Sequence, residues 1–115
     1  MSEDCLFCRI AAGEIPCEEV YSDKYLIAFR DIAPAAPTHI LVIPKKHMAS
    51  IAEATEEDEA LMGRLMMKAN EIAHSEGLHT SGFRYVINTG EDGGQTVSHL
   101  HLHILGGRAM TWPPG

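Results

Sequence analysis

The stretch Asn88-Thr-Gly-Glu-Asp-Gly-Gly-Gln-Thr-Val-Ser-His-Leu-His-Leu-His-Ile-Leu105 decides how this chain is read. Its first half is a loop of glycine and short polar residues. Its second half alternates histidine with apolar residues. Side chains along an extended strand point to opposite faces in turn. His99, His101 and His103 therefore share one face, and Leu100, Leu102 and Ile104 share the other, against a core.

The bulk properties bound what such a strand can serve. The chain has 115 residues, 45% of them hydrophobic and 22% charged, and the expectation is one domain over residues 1–115. A core of that size is small, so a partner subunit would help it. The net charge of −7 argues against a nucleic-acid polymer as partner, since counterion release needs a basic patch. A single nucleotide held by backbone amides and imidazoles remains compatible. No apolar run is long enough to span a bilayer, so no membrane partner is expected. The start Met1-Ser-Glu-Asp-Cys5 has no signal-peptide pattern, and a cytoplasmic location is expected. In that compartment three cysteines do not suggest a disulfide framework. Cys5-Leu-Phe-Cys8 reads as a metal knuckle or a redox pair, and Cys17 as a plain thiol.

Working outward, residues 5–12 start a short helix stopped by Gly13 and Pro16. Glu18–Tyr21 and Tyr25–Arg30 read as strands around a Ser22-Asp-Lys24 turn, with Tyr25, Ile27 and Phe29 on one face. Pro34 and Pro37 make residues 31–37 a loop. Ile40–Ile43 is apolar on both faces, as a central strand is. The one long helix spans about Glu56–Glu76, with Thr55 as N-cap, Asp58 completing a capping box and Gly77 as C-cap. Its apolar stripe is Leu61, Leu65, Ala69 and Ile72 with Met62 and Met66. Phe83–Asn88 is the hairpin partner of the histidine strand. His74 and His79 read as surface residues, and Lys45 and Lys46 as a solvated turn. The order of elements predicts an α+β fold, with a mostly antiparallel sheet of about five strands.

Two chemistries suit three imidazoles on one face. They ligate a catalytic zinc with an open position, or one of them is a nucleophile or acid/base beside a phosphate. The glycine loop favours the second. Gly93 and Gly94 let backbone amides approach an anion, and Asn88, Gln95 and Thr96 add polar groups. The plain alternative is a hairpin turn.

His99-Leu-His-Leu-His-Ile-Leu105 resembles the histidine triad signature of the HIT superfamily. Asp31-Ile-Ala-Pro-Ala-Ala-Pro-Thr-His39 and Leu41-Val-Ile-Pro-Lys-Lys-His47 resemble that family's central segment. Asp92-Gly-Gly-Gln-Thr-Val97 and the end Gly106-Gly-Arg…Trp112-Pro-Pro-Gly115 resemble its Hint branch, the histidine triad nucleotide-binding proteins. The resemblance covers nearly the whole chain. It implies the HIT fold, with one long helix and a short N-terminal helix.

It also implies a hydrolase, a purine nucleoside phosphoramidase that passes through a nucleotidyl-histidine. His101 would be the nucleophile. His103, Asn88, Gly94 and Gln95 would hold the phosphate, Thr96 would contact the leaving nitrogen, and His39 would support the imidazoles. Asp31 would bind the ribose, and Leu6, Phe7, Ile10, Phe29 and Ile32 would line the base pocket. Some relatives suggest a structural zinc on Cys5, Cys8, His47 and His99, with no metal needed for catalysis. A homodimer with Trp112 near the partner's site is implied as well. The competing expectations are a dinucleoside polyphosphate hydrolase, a nucleotidyl transferase, a nucleotide-binding regulator whose hydrolysis is incidental, and a metalloenzyme that uses the triad as ligands.

Overall fold

The apolar half of the histidine strand sets the centre of the sheet. Leu102 and Ile104 are fully buried, and burying such side chains stabilises the fold by about 1.5–3 kcal/mol each. The computed structural model describes residues 4–115; Met1, Ser2 and Glu3, part of the start read as lacking a leader, lie outside the described residues. The elements in chain order are α1 (Leu6–Ala11), β1 (Glu19–Ser22), β2 (Leu26–Arg30), β3 (Thr38–Pro44), α2 (Glu59–Ser75), β4 (Phe83–Val86) and β5 (Leu102–Gly106). Short 3-10 turns at Ile51–Glu53 and Glu56–Asp58 precede α2. The five strands pair antiparallel in the order β1-β2-β3-β5-β4. This is the expected α+β architecture.

The period of two sorts every central strand between two layers. Leu26 and Ala28, Ile40 and Val42, and Leu102 and Ile104 pack with Leu65, Ala69, Ile72 and Ala73 of α2. Ile27 and Phe29, with Leu41 and Ile43, pack with Phe7 and Ile10 of α1 on the other side. β3 is covered on both faces, which is why residues 40–43 carry no polar side chain. The face that carries the imidazoles lies on the α1 side, where the smaller layer leaves room for a cavity.

Several details differ from the sequence reading, and local contacts account for them. The ladder of β5 begins at Leu102, because the preceding backbone is bonded elsewhere. The His99 amide donates to the Val97 carbonyl and the Leu100 amide to the Met48 carbonyl. Glu56–Asp58 forms a 3-10 turn instead of the first turn of the long helix. Thr55 does cap this turn with Asp58 as a capping box, and the Asp58 carboxylate also accepts from Lys46 at 2.7 Å. Lys46 is therefore paired. Met66 is 43% exposed and leaves the core stripe, whereas Leu61 and Met62 pack at the core margin. Beyond Ser75 the Leu78 amide returns to the Ala73 carbonyl and the Gly77 amide to His74, the glycine stop expected there.

Among the described residues no helix is long and apolar enough to cross a membrane. Leu65→Ala should lower the unfolding free energy by about 2–5 kcal/mol, because it empties a site between α2 and the sheet. Met66→Ala should change it by less than about 0.5 kcal/mol. Urea unfolding of both variants checks the assignment of the helix faces.

Candidate active site and metal centre

His101 is held in one tautomer by the backbone beside it. Its Nδ1 lies 2.7 Å from the His99 carbonyl oxygen. A carbonyl only accepts, so Nδ1 carries the proton and Nε2 keeps its lone pair. The ring is 4% exposed, and Phe7 packs edge-on against it at 5.1 Å between centroids. A buried imidazole with one nitrogen tied back and the other, in the neutral ring, free is a competent nucleophile or base.

A second imidazole pair sits alongside. The Ala35 amide donates to His39 Nδ1 at 3.0 Å. His39 Nδ1 is thus an acceptor, so in the neutral ring the proton is on Nε2. His39 Nε2 lies 2.8 Å from His103 Nδ1, the separation of a hydrogen bond. His103 Nδ1 accepts there, which puts the His103 proton on Nε2. That atom is buried and has no partner within the protein. Asp31 Oδ2 approaches His39 Nε2 at 3.4 Å, while its Oδ1 accepts from the Ala33 amide at 2.8 Å.

Burial depresses the pKa of His103 to about 4, helped by repulsion from His101 and His39 and opposed by Asp31. Burial lowers His39 too, again against the pull of Asp31. Both imidazoles stay neutral near pH 7, as the tautomer chain requires.

A cavity of about 300 Å³ opens in front of these rings. His101, His103, Thr96 and Asp31 form its polar end, and Leu6, Phe7, Ile10, Phe29 and Ile32 line the rest as expected from sequence. Ile32 is fully exposed, so it stands at the mouth. Ile15, Pro16, Cys17, Arg30, Leu41 and Val97 complete the wall. The sequence reading gives Leu41 only as part of a central strand, Pro16 only as a helix stop and Cys17 only as a plain thiol.

Several expected phosphate ligands are placed otherwise. Asn88, Gly94 and Gln95 do not line the cavity. Gln95 spends its amide inside the loop, donating to the Ala49 and Val97 carbonyls and accepting from the Gly90 amide. A Cβ on Gly93 would lie 2.4 Å from the Thr89 carbonyl oxygen, so this glycine is required by the turn itself. His39 supports His103 from behind the cavity wall.

The remaining triad histidine turns away. His99 Nε2 lies 2.8 Å from the Pro44 carbonyl and must donate to it, leaving the Nδ1 lone pair free. That Nδ1 is 3.2 Å from Cys5 Sγ, 3.5 Å from Cys8 Sγ and 3.3 Å from His47 Nδ1. Cys8 Sγ is 3.3 Å from His47 Nδ1. A tetrahedral zinc with two sulfur and two nitrogen ligands has edges of roughly 3.3–3.8 Å. The four donors lie within 4.8 Å of one another, so they could hold a metal ion. Burial and the adjacent Cys5 thiol raise the Cys8 thiol to about 11, a penalty that a bound cation would reverse. Cys17 is a free thiol at the cavity wall, raised by burial and by Glu19. His74 and His79 stack on the surface, 4.5 Å between centroids.

The His103 shift predicts a pH dependence of stability. An unfolded histidine binds its proton near pH 6.5, whereas folded His103 does so only near 4. In that window the unfolded state holds more protons, so stability should fall as pH drops from 6.5 toward about 4. Denaturant titrations across that range should show a shallower fall in His103→Gln than in the unaltered protein.

Comparisons with known proteins agree with this geometry. The HIT domain family model matches residues 12–110. An uncharacterized HIT-like protein of Synechococcus elongatus is 57% identical over 115 residues, all of both chains. The protein HitA of Neisseria gonorrhoeae is 53% identical over 104 residues, 90% of this chain and 96% of that one. The crystal structure of a HIT family hydrolase from Legionella pneumophila superposes with a TM-score of 0.96 at 54% identity, covering 97% of this chain and all of that one. A histidine triad protein structure from Clostridium difficile gives 0.91 at 45% identity, covering 94% of each chain. On its histidine strand, its sheet and these relatives, the chain belongs to the HIT domain family.

Proposed function

We propose that the protein is a hydrolase of purine nucleoside 5′-phosphoramidates that works through a covalent nucleotidyl-histidine. The observation that carries this reading is the His101 ring: Nδ1 is tied to the His99 carbonyl, and the ring lines a cavity with one polar and one apolar end. The apolar part suits a purine ring, with Phe7 and Phe29 as its aromatic walls. Asp31, at the polar edge, suits the ribose hydroxyls.

The reaction follows from the tautomers. The His101 Nε2 lone pair bonds to the α-phosphorus, and the phosphorus–nitrogen bond breaks with its electron pair on the amine. The amine leaves after gaining a proton through the Thr96 hydroxyl at the cavity wall, and the water that attacks in the second step returns that proton to Thr96. His103 Nε2–H, buried and unpartnered, offers a hydrogen bond to the charge that develops on the phosphoryl oxygens. Water then attacks phosphorus, the bond to Nε2 breaks, and the nucleoside monophosphate departs. Splitting one hard displacement into two is the gain of covalent catalysis.

Zinc on Cys5, Cys8, His47 and His99 would be structural, because four protein donors complete a tetrahedral set. It would anchor α1, which has Cys5 as its N-cap and carries Cys8 together with Leu6, Phe7 and Ile10 of the cavity. A homodimer fits the edge position of β4, the exposed Met66 and Met67 on α2, and Trp112 at 80% exposure in the tail.

Rapid quenching of adenosine 5′-phosphoramidate hydrolysis should leave a nucleotidyl adduct on His101, seen by intact mass. His101→Ala should form none and lose at least about 1000-fold in kcat. Full turnover in that variant would refute the mechanism. Faster cleavage of a dinucleoside polyphosphate than of the phosphoramidate would replace the substrate class. Native mass spectrometry should find two chains with about one zinc each. Cys8→Ser should lose the metal and raise KM. A metal-free monomer with unchanged KM would remove both the zinc and the dimer from this reading.

A further inference from the structure

Behind the His39–His103 pair lies a contact that the proposed chemistry does not use. Arg108, just past β5, donates to the Ala35 carbonyl from Nε at 3.3 Å and from Nη2 at 2.9 Å. Its Nη1 donates to the Ala109 carbonyl at 3.1 Å, which aims the guanidinium. Ala35 sits in the loop between β2 and β3, and its own amide donates to His39 Nδ1. The turn that carries Arg108 is pressed onto the same loop. A Cβ on Gly107 would lie 2.8 Å from Pro37 Cβ.

We propose that Arg108 is a positioning residue: through Ala35 it fixes the tautomer of His39, and through His39 that of His103. The inference rests on the phosphoryl-transfer reading for its catalytic consequence but not for its structural content.

The physical argument is a chain of forced roles. A peptide amide only donates, so His39 Nδ1 must accept and Nε2 must carry the proton. His39 Nε2–H then donates to His103 Nδ1, and the His103 proton is forced to Nε2, the buried atom without a partner. Should the Ala35 amide swing away, only Asp31 Oδ2, 3.4 Å from Nε2, still favours the proton on that nitrogen, and a share of His39 carries it on Nδ1 instead. Its Nε2 then becomes an acceptor, and His103 must donate from Nδ1 to keep the bond. His103 Nε2 would present a lone pair where a phosphoryl oxygen needs a donor. One displaced peptide, outside the cavity wall, would reverse the polarity of an atom at the reaction centre. Ala35 is exposed, so side-chain packing does little to hold its peptide. The double contact from Arg108 holds the loop at that residue. Arginine suits the task because its rigid fork can place two donors on one oxygen.

The test reads the rings directly. Histidine side-chain nitrogen NMR on the unaltered full-length protein should show His39 and His103 protonated at Nε2, with His39→Gln used for assignment. Arg108→Ala should give a mixed tautomer at His39 and a shifted His103 Nε2. On the phosphoramidate, kcat should fall about 10- to 100-fold with KM within about twofold. Arg108→Lys, which can still donate to the Ala35 carbonyl, should recover most of both. Arg84→Ala breaks a different hold on the tail, the 2.9 Å bond from Arg84 to the Thr111 carbonyl, and should leave the His39 signals in place.

Native-like ring signals in Arg108→Ala would overturn the proposal. So would an equal disturbance in Arg84→Ala, which would assign the effect to tail loosening, or shifted signals with unchanged kcat. Should the unaltered protein not hydrolyse phosphoramidates at all, the functional reading fails on its own, and the ring signals still decide the clamp.

Discussion

The site depends on one short hydrogen bond, 2.7 Å between His101 Nδ1 and the His99 carbonyl. It gives His101 a single tautomer and leaves Nε2 free. It also joins two sites through one residue. The same His99 presents Nδ1 to Cys5, Cys8 and His47 and donates from Nε2 to the Pro44 carbonyl. His99 is therefore pinned by its side chain while its backbone pins the neighbouring imidazole. His99 and His101 lie just ahead of the β5 ladder, and Leu100 between them is buried on the α2 side.

The two layers explain why one face could be given to chemistry. α2 covers one side of the sheet with a long apolar stripe, and the Leu100, Leu102 and Ile104 series is fully absorbed there. α1 is only six residues long and covers the other side incompletely. What it leaves open is the cavity in front of His101 and His103. Burial without full coverage also favours the neutral form of three imidazoles. Desolvation lowers His39, His99 and His103, and repulsion from neighbouring imidazoles adds to it at His99 and His103. Hydrogen-bonded roles can then be assigned atom by atom.

Much of this was legible from residue order. The period of two placed three histidines against three apolar residues, and both the sheet and the cavity respect it. The capping box at Thr55 and Asp58 and the glycine stop at Gly77 were local signals and were found. Other readings failed where a side chain had two plausible destinations. Met66 reads as part of the core stripe yet faces outward, because it lies one position round the helix from the buried Leu65. Gln95 has the chemistry of a phosphate ligand, but nearby carbonyls on residues 49 and 97 satisfy its amide first. Sequence carries no measure of which partner is nearer.

The sequence by itself determined the α+β layout, the shared face of the imidazoles and the family signature, because these follow from periodicity and from contiguous motifs. Residue types alone named a metal knuckle at Cys5 and Cys8, and the family resemblance added His47 and His99 to it. The tertiary structure brings these four donors together, across up to 94 positions of chain. It alone decided the proton positions, because these are set by backbone groups. The Ala35 amide and the His99 and Pro44 carbonyls carry no side-chain signature. Any residue could supply such groups, so only the path of the chain places them.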